Sequence, residues 1–170
     1  MTFTEAVKTC FRKFFTFSGR ASRSEYWWFS LFCLLGGFTA SFAESSINAF
    51  FGDPTGPTML SGAFNLATFI PGLSAGWRRM HDTGRSGLYL FYPFVVIFGV
   101  STFAAWTGAF DVLATNPEGA LEALNSVTLA ILAISMIVLI ISPFLVLYWL
   151  TRPSQPGPNA YGPNPHEVSP

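Results

Sequence analysis

Charge is missing from most of this chain, and the places where it is missing decide the fold class. Residues 26–43, 54–77, 86–110 and 123–151 contain no Asp, Glu, Lys or Arg. A bilayer core of ~30 Å is crossed by ~20 helical residues rising ~1.5 Å each. All four stretches are therefore near or beyond spanning length. Lipid offers the backbone no water, so every amide inside it must bond within its own segment, which means helix. These rules predict spans at about 26–45, 58–77, 87–110 and 126–150. The last, SVTLAILAISMIVLIISPFLVLYWL, is apolar on nearly every face. Composition agrees. Charged residues make up 11% of the chain, against roughly 25% in soluble domains, and hydrophobic residues reach 51%. That leaves too little polar material to cover a water-facing globule, which excludes a soluble enzyme domain.

Charge between the spans predicts orientation. Lys8, Arg12, Lys13, Arg20 and Arg23 precede the first span, Arg78, Arg79 and Arg85 lie between the second and third, and Arg152 follows the last. Four crossings put all of these on one side, while Glu44, Asp53, Asp111, Glu118 and Glu122 fall on the other. The positive-inside rule then places both termini in the cytoplasm. Trp27, Trp28, Trp77, Tyr89, Tyr92, Tyr148 and Trp149 sit at the expected span borders, where amphipathic rings favour the headgroup level. Net charge is zero, so nucleic-acid binding has no global electrostatic support. Ser41-Phe42-Ala43 resembles a signal-peptide cleavage site, but the long patterned segment before the first span argues for a retained helix. Cys10 and Cys33 fall in different compartments of this topology and are expected reduced. The expected organisation is a cytoplasmic amphipathic and basic segment (1–25), a transmembrane domain (26–152) and a Pro-rich cytoplasmic tail (153–170).

Outside the spans, residues 3–17 read as an amphipathic helix. Phe3, Val7, Cys10, Phe11, Phe14 and Phe15 form one face, and Glu5, Lys8, Thr9, Arg12, Lys13 and Thr16 the other. That pattern suits either the headgroup layer or docking on the protein's own cytoplasmic end. Gly19 is expected to end this helix, and Ser22 with Glu25 to form a capping box for the first span. Asp82-Thr83-Gly84 is turn chemistry. The tail is rich in Pro and is expected extended and mobile. The fold class expected is thus an all-α integral membrane protein, a four-transmembrane-helix bundle with an N-terminal amphipathic interfacial helix.

Three segments, FSGRASRSEYWW, RRMHDTGRSG and the closing GPNAYGPNP, together resemble the domain of unknown function 805 family, small bacterial inner-membrane proteins with about four helices. The resemblance implies a bacterial inner-membrane location. It carries no agreed activity, so it implies no catalytic residues. The loops at 44–57 and 111–125 look longer than is usual in that family.

The candidate site is the set of charges at the cytoplasmic ends of the spans. Arg20, Arg23, Arg78, Arg79 and Arg85 are candidates for binding an anionic lipid headgroup or another phosphate, because guanidinium is planar and bidentate. The competing reading pairs them with Glu25 or Asp82 in a network that holds the helices in register, with Ser22 and His81 as structural neighbours. His81 beside Asp82 invites a general-base role, but adjacent helical residues point about 100° apart. The chain also lacks GxSxG, HExxH, Walker and paired-cysteine metal motifs. No catalytic residue, metal or cofactor is therefore expected, and His166 reads as a spacer. Within the spans, Asn65 is expected to bond a neighbouring helix. Gly72-x-x-x-Gly76 and Ala104-x-x-x-Gly108 are expected to let helices approach closely, and Pro71, Pro93 and Pro143 to bend their spans. No Asp, Glu or His lies mid-span, which disfavours ion-coupled transport. The leading functional expectation is a binding or regulatory protein whose Arg-rich face engages anionic phospholipid or a partner protein. A small homo-oligomeric pore or transporter is the second reading, and a lipid-modifying enzyme at the membrane interface the third.

Overall fold

The computed structural model describes residues 1–53 and 55–167. Pro54 of the loop 44–57 and residues 168–170 of the tail lie outside the described residues. The fold is all-helical: α1 (Phe3–Arg12), α2 (Arg23–Phe50), α3 (Met59–Asp82), a 3-10 segment (Gly87–Phe91), α4 (Tyr92–Trp106), α5 (Ala109–Thr115), α6 (Ala120–Ala123) and α7 (Ser126–Thr151). The described residues hold no strand, only an isolated bridge between Asn159 and Gly162. Contacts divide the chain into two compact units, Met1–Gly87 with Leu150–Pro170, and Leu88–Trp149.

In the first unit, α1 starts at a reciprocal cap. The Thr2 amide donates to Glu5 at 2.8 Å, and the Glu5 amide donates to the Thr2 hydroxyl at 3.4 Å. The bond from the Thr2 amide, with the Thr2 hydroxyl, holds the Glu5 carboxyl below its ordinary range. α1 stops at Arg12 rather than continuing to residue 17. The reason lies in α3, which takes the carbonyls a longer helix would use. Ser74 donates to the Lys13 carbonyl (3.1 Å) and Arg78 Nε to the Thr16 carbonyl (3.0 Å). α1 docks on α2 and α3 through a buried cluster of Cys10, Phe29 and Ala75. Phe11 meets Phe29 and Phe32 edge-on, with centroids 5.6 and 5.9 Å apart, a geometry aromatic rings favour.

α2 is N-capped by Ser22, whose hydroxyl accepts from the Glu25 amide at 3.2 Å. The expected return arm of a capping box is absent, because the Glu25 carboxylate is committed to Arg78. At its other end α2 runs past the expected boundary at 45 to Phe50, and Glu44 turns onto α3. Its carboxylate accepts from the Leu60 amide (2.7 Å), the Ser61 amide (3.4 Å) and the Ser61 hydroxyl. α3 has no side-chain cap from its own N-cap residue Thr58, so Glu44 satisfies orphan amides there and adds negative charge at the favourable helix end. α2 and α3 pack along small residues. The Phe64 ring lies over Gly36, and a methyl group on Gly72 would sit 3.7 Å from Phe29. Gly76 is buried. Asn65 is exposed, and a methyl group on Gly37 would lie 3.5 Å from its Oδ1.

Two further expectations fail in this unit. Arg78, Arg79, His81 and Asp82 are not in a loop but form the last turn of α3. The described part of the tail, residues 153–167, is neither extended nor free, because it folds in turns onto that same helix end.

In the second unit, the expected span 87–110 is not one helix. Pro93 sits in the first turn of α4, where its missing amide costs nothing, so it starts the helix rather than bending it. Gly108, at φ +72°, breaks the chain into α5. Ala104 and Gly108 therefore do not share a helical face, and a methyl group on Gly108 would meet nothing within 4 Å. Ala104, Ala109 and Leu124 form a buried cluster against which Leu129 and Leu132 of α7 pack. Trp149 lies against Tyr89 and Tyr92, with centroids 5.2 and 6.5 Å apart.

Among the described residues, three helical segments are long and apolar enough to cross a membrane: Arg23–Phe50, Gly87–Trp106 and Ser126–Thr151. α3 is 24 residues long but is not among them. Ser61, Asn65, Thr68, Ser74 and the charged last turn dilute its apolar character. Ile134, Ile137, Ile140, Ile141 and Phe144 on α7 are all more than half exposed. A surface of this kind marks a membrane or protein interaction site.

Candidate functional site

The last turn of α3 is the hub. Asp82 is completely buried and pairs with two guanidiniums, Arg20 Nε at 2.9 Å and Arg79 Nη1. It also accepts from the Ser154 hydroxyl. Arg78 pairs with Glu25 and donates from Nε to the Thr16 carbonyl. Its backbone carbonyl accepts from the Ala21 amide at 3.0 Å, so the segment from Thr16 to Ser22 is stitched across the helix end.

Buried charges require partners, and several of the donors here find backbone carbonyls at the end of α7 and in the tail. Arg20 Nη1 donates to the Gly157 carbonyl (2.8 Å) and Nη2 to the Gln155 carbonyl (2.6 Å). Arg79 Nε donates to the Leu150 carbonyl (3.0 Å), and its Nη2 to that of Arg152. The Gln155 amide returns a bond to the Asp82 carbonyl at 3.0 Å. Gly84, at φ +75°, turns the chain here, and a side chain on it would strike Gln155. Burial lowers the Arg79 pKa, with the Asp82 carboxylate opposing that shift and Arg23 and Arg20 adding to it.

His81 points away from Asp82, as helical geometry requires. Its Nδ1 lies 3.1 Å from the Gly19 carbonyl, and its ring stacks flat on Tyr161 with centroids 3.8 Å apart. Its backbone carbonyl accepts from Asn159 Nδ2 at 2.9 Å. Burial holds the imidazole pKa below the usual 6.5. The ring is thus engaged both at one nitrogen and on a face.

The structure brings Arg20, Ser22, Glu25, Arg78, Arg79, His81 and Asp82 together and leaves Arg23 and Arg85 outside the lock. Arg23 is exposed at the first turn of α2. Arg85 is half-buried and donates to the Thr83 carbonyl at 3.1 Å. Asn65, Gly72 and Gly76 lie elsewhere on α3. Sequence reasoning missed Gln155, Asn159, Tyr161 and Asn164. The available signal was the Asn-rich turn chemistry of the tail: Asn159 Oδ1 accepts from the Tyr161 amide and Asn164 Oδ1 from the His166 amide. It also missed Cys10, which lies beside Arg78 and whose thiol pKa burial pushes up to about 12. Arg78 Nη2 is buried with no hydrogen-bond partner.

The segments that meet here are the ones carrying the family resemblance. A family model described as a protein of unknown function, DUF805, matches residues 14–163. The chain belongs to this family. Its relatives include the inner membrane protein YhaI of Escherichia coli strain K12 and that of Escherichia coli O157:H7. Each is 39% identical over 82 residues, covering 46% of this chain and 64% of the relative. The match thus spans less than two thirds of those relatives. No solved structure matches. Family membership and the apolar helices make this DUF805 chain a membrane protein.

Proposed function

We propose that this chain is a four-span protein of the bacterial inner membrane, with both termini cytoplasmic and a binding role at its cytoplasmic end, where it engages anionic lipid. The observation that carries this reading is the charge arrangement of the lock. Arg20 and Arg79 share the single carboxylate of Asp82, and Arg23 stands exposed beside them. The cluster therefore holds excess positive charge at the level where the inner leaflet is negative.

The fourth crossing is α3, which packs along α2 and whose Ser61, Thr68 and Ser74 hydroxyls bond within the protein, whereas Asn65 is exposed rather than bonded to a neighbouring helix as expected. With α3 spanning, every basic residue falls on one side. α1 serves as the amphipathic interfacial helix: Phe3 on it and Phe15 in the turn that follows are exposed for the acyl boundary, with Lys8 and Arg12 exposed beside them. A binding role is favoured over catalysis because the imidazole of His81 is occupied by Tyr161 and the Gly19 carbonyl. Native mass spectrometry of protein released from its own membrane tests the reading. Copies carrying anionic phospholipid are expected, and a uniformly lipid-free protein overturns it.

A further inference from the structure

The arginines of the lock are turned inward and consumed, so they are poor candidates for a phosphate. Arg23 is the exception. It lies outside the lock and makes no ion pair among the described residues. It lines, with Trp27, Trp28, Leu31, Leu34 and Thr151, an open groove of about 740 Å³ along α2. We propose that this groove is the binding site for one anionic glycerophospholipid, with the phosphate on Arg23 and an acyl chain laid along Leu31 and Leu34. The proposal rests on the lipid-binding reading above and assigns it a place.

Three features fit that occupant. The order of chemistry along the helix is the order along a phospholipid: a cation at residue 23, amphipathic indoles at 27 and 28, aliphatic side chains at 31 and 34. Indole rings favour the depth between headgroup and acyl chain. The length also fits. Eleven residues of helix rise ~16 Å, about half of a ~30 Å bilayer core, so the groove extends through a single leaflet. Its volume falls within the ~300–1,000 Å³ typical of clefts that hold a small ligand. The charge fits as well. Arg23 is not neutralised by a neighbour, and the excess positive charge of Arg20, Arg79 and Asp82 lies behind it, which selects an anionic headgroup over a zwitterionic one. An exposed guanidinium offers a phosphate two parallel donors.

The test uses the full chain in phosphatidylcholine bilayers containing a minority of phosphatidylglycerol, with the lipid retained after detergent release counted by mass spectrometry. Wild type is expected to retain phosphatidylglycerol selectively. Arg23→Gln removes the charge, and Leu34→Trp fills the groove while leaving Arg23 in place. Both sites are exposed, so both variants should fold as wild type does, and each should lose retention by about tenfold or more. Ala160→Glu, an equal change of net charge at an exposed position of the tail, should retain lipid normally. Unchanged retention in both groove variants overturns this site while leaving the lipid-binding reading intact. Equal loss in all three variants also overturns it, since the effect would then be one of total charge. A wild type without selective retention overturns both readings.

Discussion

At the residue scale, Asp82 carries more of the charged end than any other side chain. It is fully buried, and three donors converge on its carboxylate. Removing one partner of a buried pair leaves an uncompensated charge, typically costing ~3–5 kcal/mol. Asp82→Asn is therefore expected to lower the thermal midpoint in detergent by on the order of 10 °C and to speed hydrogen exchange at residues 155–167. Arg23→Gln, outside the lock, should shift the midpoint very little. His81 adds a pH dependence whose sign follows from its environment. Burial against Tyr161 lowers its pKa below 6.5, so the docked tail favours the neutral ring, whereas an undocked tail leaves it near its ordinary value. Tail docking is then strongest above that ordinary value and weakens as pH falls through the lowered one. Exchange protection of the tail should be greater at about pH 7.5 than at about pH 5, and His81→Phe, which keeps the stack, should abolish the difference. Equal protection at both pH values in wild type would contradict this assignment.

At the element scale, the helices were legible wherever the physics is local. Absence of charge marks α2 and α7 because lipid tolerates little else, and the expected fourth span matches α7 to within a residue. Helix ends were less legible. Charges at 78–82 look like a loop by composition, yet they continue α3 because Arg78 and Asp82 pair with Glu25 and Arg20, remote in sequence, and Arg79 pairs with Asp82 and donates to the Leu150 and Arg152 carbonyls. The interruption at Gly108 sits inside an uncharged run where hydropathy gives no warning. The α2–α3 contact yields two further tests. Gly36→Leu forces a side chain into the Phe64 ring and should cost ~1–3 kcal/mol by overpacking. Gly62→Ala, with nothing within 4 Å, should be neutral or slightly stabilising. Both are read by thermal unfolding. Glu44→Ala strips the cap from α3 and should cost ~1–3 kcal/mol, with faster amide exchange at Leu60 and Ser61.

At the scale of the whole molecule, the design reads as apolar helices for the bilayer and one end knotted by charge. The composition of that end was legible in the sequence, but its wiring was not. Sequence alone left Glu25 and Asp82 open to any arginine, and the structure assigns Glu25 to Arg78, and Asp82 to Arg20 and Arg79. The tail was misread because Pro and Gly exclude helix without implying freedom. Its carbonyls meet Arg20 across more than a hundred residues, and no local pattern encodes such a pairing. Lipid binding at the Arg-rich end requires that end to face the cytoplasm, which in turn requires α3 to span. Single cysteines placed at Lys8, Asp53, Glu118 and Pro158, in a chain with Cys10 and Cys33 replaced by Ala, test this in intact cells with a membrane-impermeant thiol reagent. The account predicts labelling from outside at the Asp53 and Glu118 positions alone, with the Lys8 and Pro158 positions reacting only after permeabilisation. Labelling of one terminus from outside, or protection of the Asp53 position, would mean an odd number of crossings or an α3 that does not span, and would contradict it.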